Sequence, residues 1–172
     1  MSARGGRNAM SNENVLFQVE EDEVETNAPE DEGAGSRKHL IFTVDDLKIG
    51  IDANQVVEIL HVYNATYLPM MPDYILGIFN MRGQIIPIMD IRLRLGKPPA
   101  EESILIVIDY NNNQLGIQVD SVDLMLDIPL ESIVPIPSQS AQKLVSGMCT
   151  LPDGSGTMLV LDCEQLIARD YV

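Results

Sequence analysis

From His39 onward, short apolar runs alternate with clusters of Asp, Asn, Gly and Pro, and the runs are rich in Val and Ile. Runs of this length and composition, bounded by turn residues, predict strands more than helices. "HLIFTV" (39–44), the turn Asp45-Asp46 and "LKIGID" (47–52) predict a hairpin. "ANQVVEIL" (53–60) sets Val56, Ile59 and Leu60 at three-four spacing, which predicts a short helix with those residues inward. "YLPMMPDY" (67–74) is extended, because the residue before each proline is pushed out of the helical region. "ILGIFNMR" (75–82) and "QIIPIMD" (84–90) then flank Arg82-Gly83, and "IRLRLG" (91–96) gives a helical turn stopped by glycine. A second series begins with "SILIVIDY" (103–110), turns at "NNN" (111–113) and returns as "QLGIQVDSV" (114–122). Its later strands are "LMLDI", "VSGMCTL" and "TMLVLD", ending in the helical "CEQLIARD" (163–170).

Side by side, the two series form an approximate internal duplication offset by roughly 70 residues. Each has a returning strand with Gly before Ile (Gly50, Gly116), later a Gly followed by an apolar residue (Gly77-Ile78, Gly147-Met148), and then an Asp step into a short helix (Met89-Asp90, Leu161-Asp162). Asp90 and Asp162 stand where N-caps belong. Two β units this small would be marginal alone, so a shared core is expected. The duplication also isolates one residue. Where the first series has Asn80-Met81-Arg82-Gly83, the second has a longer turn, Thr150 to Gly156, with no basic residue, so the architecture itself does not require Arg82.

Charge sharpens the contrast. The chain carries 26 acidic and 11 basic residues, a formal charge of -15, whose field repels phosphate backbones and anionic membranes, so nucleic acid is not an expected partner. Nine acidic and four basic residues fall in 1–38, which leaves residues 39–172 at -10. Four of the remaining seven basic residues, Arg82, Arg92, Arg94 and Lys97, lie close together and predict a local positive feature. Residues 1–38 are too polar to bury a core and read as a disordered acidic tail, with one apolar cluster, Val15 to Val19. No apolar run approaches the ~18 residues of a membrane span, and no secretory h-region is visible, so a cytoplasmic protein without membrane insertion is expected.

Catalytic chemistry is scarce. His39 and His61 have no nucleophile at a telling spacing, "DGSGT" (153–157) lacks the Lys-Ser/Thr of a phosphate cradle, and the aspartates lack calcium-loop spacing. Cys149 and Cys163 sit in apolar surroundings that suit buried, reduced thiols. No metal or cofactor is expected, and a small enzyme on a β scaffold finds no support in these residues.

The stretch "YILGIFNMRGQIIPIMDIRLRLG" (74–96) resembles the CheW coupling proteins of bacterial chemotaxis, and the resemblance runs from about residue 38 to 168 through "FTVDDLKIGIDANQVVEIL" and "LGIQVDSVDLMLDI". It implies a mainly β fold of two interlocked five-stranded SH3-like barrels with short helices, lobes roughly at 39–100 and 101–168, and no catalysis. It further implies an adaptor joining the cytoplasmic tips of chemoreceptors to the regulatory domain of the histidine kinase CheA, in receptor arrays at the inner membrane. The alternative is the same module in a related pathway for pili, gliding or another output. Arg82 matches a family arginine implicated in receptor coupling, and Glu58 a family glutamate at the same surface, with Val56, Ile59 and Asn80 beside them. For the kinase, an apolar barrel end is implied, with Ile85, Ile86 and Ile88 as candidates that ordinary strand packing would equally explain.

Overall fold

The structure, a computed structural model, describes residues 35–101, 103–136 and 144–168. The first series gives β1 (Ser36–Val44), β2 (Leu47–Asp52), β3 (Val56–Leu60), β4 (Ile75–Met81), β5 (Gln84–Asp90) and α1 (Ile91–Arg94). The second gives β6 (Ile104–Tyr110), β7 (Asn113–Val119), β8 (Ser121–Pro129), the two-residue β9 (Val134–Pro135), β10 (Val145–Thr150), β11 (Thr157–Leu161) and α2 (Cys163–Ala168). β1 begins ahead of His39, since Ser36, Arg37 and Lys38 pair with Pro129, Ile128 and Asp127 of β8 and belong to the sheet. The rest of the expected tail, Val15 to Val19 included, lies outside the described residues.

The strands form a six-stranded sheet in the order β8-β1-β2-β11-β10-β9 and a five-stranded sheet in the order β3-β6-β7-β5-β4. The mainly β architecture is as expected, with two sheets and one strand more in the first of them. Each sheet draws strands from both series, so the units interlock. Among the described residues, three cores follow from this. Leu40, Phe42, Ile49 and Ile51 of the first sheet meet Met89, Ile106, Ile108 and Ile117 of the second in one shared cluster. Phe79, Ile86, Ile88, Leu105 and Val107, all from the second sheet, cluster among themselves, as do Ile41, Ile128, Cys149 and Met158 of the first. A sheet that packs on its own side chains must curl around them, which is the barrel habit. Each fully buried Ile or Phe contributes about 1.5–3 kcal/mol by leaving water, so the shared cluster binds the units strongly.

The duplication is legible in atomic detail. Gly50 pairs in parallel with Val160, and Gly116 with Ile88. A Cβ on Gly50 would stand 2.3 Å from Met158 Sδ, and one on Gly116 3.0 Å from Leu105 Cδ1, so both glycines make room for a neighbour's side chain inside a unit. Register shifts precede Gly77 and Gly147 alike. Asp90 and Asp162 each accept a hydrogen bond from the backbone N–H three residues on, of Leu93 and Gln165, and so cap α1 and α2.

Two stretches differ from their predictions: residues 67–74 are not one extended segment but turn at 69–70 and at 73–74, with Met70 at φ 64°, and residues 53–60 are not a helix. Only Ala53–Gln55 forms a 3-10 turn, with the Asp52 carboxylate accepting from Asn54 N–H, and Val56–Leu60 is strand, paired with β6. The β-branched Val56, Val57 and Ile59 favour that outcome once an edge of β6 is available. The three-residue spacing that suggested a helix comes instead from a bulge between Val56 and Glu58. The extra residue lets Val56 and Ile59 face the shared core while Leu60 packs into the core of the second sheet.

Candidate partner-binding surface

β3 and β4 are the two edges of the second sheet, and curling brings them together. Thr66, beyond β3, bridges to Ile78 of β4 through reciprocal backbone hydrogen bonds of 2.7 and 2.9 Å. Further along the same seam, the Arg82 Nη2 donates to Glu58 Oε2 at 3.0 Å. The bulge matters here, because it turns Glu58 to the face opposite Val56. The side chain of Glu58 is 29% exposed and that of Arg82 76% exposed, so the pair is a solvent-side contact with most of the guanidinium open.

Arg82 is the first central residue of a two-residue hairpin between Met81 and Gln84, with φ 53°, and Gly83 follows at φ 90°. Positive φ at both positions defines the type I′ turn, which favours Asn-Gly or Gly-Gly. An arginine there is held in a conformation that costs on the order of 1 kcal/mol. Asn80 supports it, its Oδ1 accepting from Gly83 N–H at 2.9 Å. Glu58, Asn80 and Arg82 therefore meet at one place. Val56 and Ile59, on the same strand as Glu58, are half-buried against the shared core and contribute less surface.

The three isoleucines separate sharply. Ile85 is 68% exposed and lies beside Asn80 across the hairpin, whereas Ile86 and Ile88 are fully buried in the core of the second sheet. Strand alternation is the reason, since successive side chains point to opposite faces. Of the three, only Ile85 is open to solvent.

The expected positive feature around Arg82 is not formed. Arg92 donates from Nε and Nη2 to the two carboxylate oxygens of Asp120, both at 2.7 Å, and from Nη1 to the Pro98 carbonyl at 3.0 Å. Lys97 pairs with Asp45 at 2.7 Å and with Asp46 at 3.6 Å. Arg94 lies over the Tyr74 ring, 5.1 Å from its centroid. Sequence proximity misled because these partners arrive from β1–β2 and β7–β8, brought in only by the fold. The hydrogen bond from Lys97 is the main cause holding the Asp45 carboxyl below its ordinary value. Burial works to raise Asp120, but the Arg92 hydrogen bonds, a backbone N–H and the Arg92 charge outweigh it and carry it down.

A cleft of about 440 Å³ that no motif announces runs beside Arg82, lined by Leu60, Val62, Tyr63, Phe79 and Met81 among others. Tyr63 and Phe79 meet there as a tilted pair with centroids 6.2 Å apart. Tyr63 also donates to Gln118 Oε1, and burial raises its phenol above the ordinary value. The available signal was the presence of Val62, Tyr63 and Tyr67 in a polar, Pro-containing connection.

Among the described residues, no group of three His, Cys, Asp or Glu could hold a metal ion, and no helix is long and apolar enough to cross a membrane. Both cysteines are free and buried, and burial pushes the Cys163 thiol up to about 12.

Residues 38–170 match the CheW-like domain family. The chain belongs to the CheW family. The chemotaxis protein CheW of Klebsiella aerogenes is 31% identical over 140 residues, covering 78% of this chain and 83% of that protein. Protein FrzA of Myxococcus xanthus is 31% identical over 58% of this chain and 65% of its own. The crystal structure of the scaffolding protein TtCheW from Thermoanaerobacter tengcongensis superposes with a TM-score of 0.67 at 27% identity, covering 73% of this chain and 88% of that one. As a member of this family the chain is a chemotaxis coupling adaptor.

Proposed function

We propose that the adaptor works without catalysis by presenting two surfaces, one around Arg82 and Glu58 to the cytoplasmic tips of chemoreceptors, and one around Ile85 to the regulatory domain of the histidine kinase CheA. The observation that carries this reading is Arg82 itself, a cation kept in a left-handed turn and largely exposed on an acidic protein. Local turn chemistry would choose another residue, and an exposed ion pair contributes only ~0–1 kcal/mol to stability, so the arginine is better explained by what it meets outside the chain. Asn80 holds the turn, while Val56 and Ile59 keep β3 in place beneath Glu58. The kinase surface rests on one exposed isoleucine, with Ile86 and Ile88 supporting its strand from inside.

In this reading the protein acts in the cytoplasm, in receptor arrays at the inner membrane. The catalytic alternative has little to work with, since the His39 ring is buried with its Nδ1 against the Arg37 carbonyl and His61 lies on the surface. Gel filtration of the full chain with a kinase regulatory domain and a soluble receptor fragment should give a ternary complex. Failure of either binary contact would remove that surface. A second reading, the same module in a pathway with another output, is favoured by the match to Protein FrzA, whose name does not specify chemotaxis. Pull-down from the native lysate separates the two by the receptors recovered.

A further inference from the structure

We infer that the cleft from Tyr63 to Arg82 is a two-part docking site that takes a large apolar side chain of the partner and, next to it, a carboxylate. This rests on the reading that Arg82 faces the receptor and adds what the receptor must present. The apolar half is built from Phe79 and Met81, which are nearly buried, with the Tyr63 ring tilted against Phe79 and with Leu60 and the 86% exposed Val62 completing it. Val62 lines the cleft, and Tyr67 and Met70, which are also exposed large hydrophobics, lie further along the same connection between β3 and β4. An aromatic-lined recess with exposed apolar side chains marks an interaction site and suits an anchoring side chain.

The second half follows from charge. Arg82 is the one charged residue lining the cleft among the described residues, and its contact with Glu58 engages a single nitrogen of a group that carries five N–H donors in a planar fork. A partner carboxylate can take the remaining donors or displace Glu58. Elsewhere the chain's charge of -15 repels an acidic partner, so this end of the cleft would also fix the orientation of docking.

The test is calorimetric titration of the full chain with a soluble cytoplasmic fragment of a chemoreceptor, using Val62→Glu, Val62→Lys and Arg82→Glu. Val62 is too exposed to carry the fold, and circular dichroism checks this. Val62→Glu should weaken binding at least tenfold by setting a negative charge against the partner's carboxylate. Val62→Lys should weaken it clearly less, and the gap between the two should narrow in high salt. Equal losses for both would overturn the carboxylate half. Unchanged binding by Val62→Glu, with Arg82→Glu impaired, would overturn the cleft while leaving the receptor surface standing. Unchanged binding by Arg82→Glu would overturn the receptor surface itself, and the two-part site with it.

Discussion

The β4–β5 turn and the β10–β11 turn occupy the same place in the two series and are made in different ways. The second is a loop of turn-forming residues, in which Leu151 N–H donates to the Gly156 carbonyl, Gly154 N–H to the Leu151 carbonyl, and Ser155 N–H to the Asp153 carboxylate. Its left-handed positions, Gly154 and Gly156, are glycines. The first uses two residues and places an arginine at φ 53°. Strands, bulges, caps and small-residue contacts recur in both halves, so these features belong to the fold. The strained cation occurs in one half only, aimed across a seam at Glu58, which is how a site grafted on a repeated scaffold should look.

The largest effects should show where the halves are alike. Ile86→Ala and Met158→Ala truncate equivalent, fully buried side chains, and each should cost about 2–5 kcal/mol in urea unfolding. Ile85→Ala, one residue from Ile86, should cost less than about 0.5 kcal/mol. A large loss there would mean that Ile85 is a packing residue and would remove the basis for a kinase surface. Next come the bulge glycines. A Cβ on Gly77 would meet the Thr66 carbonyl oxygen at 2.2 Å, at φ 141°, whereas one on Gly147 meets the Ile133 Cγ2 at 2.7 Å without that backbone strain. Gly77→Ala should therefore cost about 3 kcal/mol and Gly147→Ala about 1–2 kcal/mol. Equal values would break the comparison at that position.

The ion pairs between units should give a smaller, pH-dependent effect. Asp45 and Asp120 have depressed folded values, so their stabilisation is complete above the unfolded carboxyl value of about 3.9 and is lost as pH falls through the lower folded values. Asp90 has the opposite sign. Burial raises it, so its contribution is present below the unfolded value and is lost as pH rises through the folded one. Asp90→Asn keeps an acceptor for the α1 cap, and its stability relative to wild type should improve between pH 3 and 7. A flat difference in thermal midpoint across that range would contradict this. Arg82→Ala should also have a small effect, changing unfolding free energy by no more than about 1 kcal/mol, because its partner contact is exposed.

Much of this was legible in the sequence for a physical reason. Period-two runs, turn residues and the two Asp caps act locally, and the repeat could be aligned by its glycines. Val56–Leu60 was misjudged because a bulge reproduces helical spacing, and only the edge of β6 decides between the two. The surface pair of Glu58 and Arg82 came from resemblance, and its contact could not be read from residues 24 apart. Arg92 and Lys97 show the converse, since neighbours in sequence are turned inward by carboxylates 28 and 52 positions away. The Tyr63–Phe79 cleft was invisible because it exists only once β3 and β4 meet.

The most direct measurement titrates folded Arg82→Glu against both partners in parallel, a soluble receptor fragment and the kinase regulatory domain. An arginine that is a hot spot of an interface costs roughly 2 kcal/mol or more when truncated, about thirtyfold in affinity, and reversing the charge should cost at least as much. The expected result is that receptor loss with kinase affinity within about twofold of wild type. Wild-type receptor affinity, or equal loss toward both partners, would contradict the assignment of Arg82 to the receptor surface.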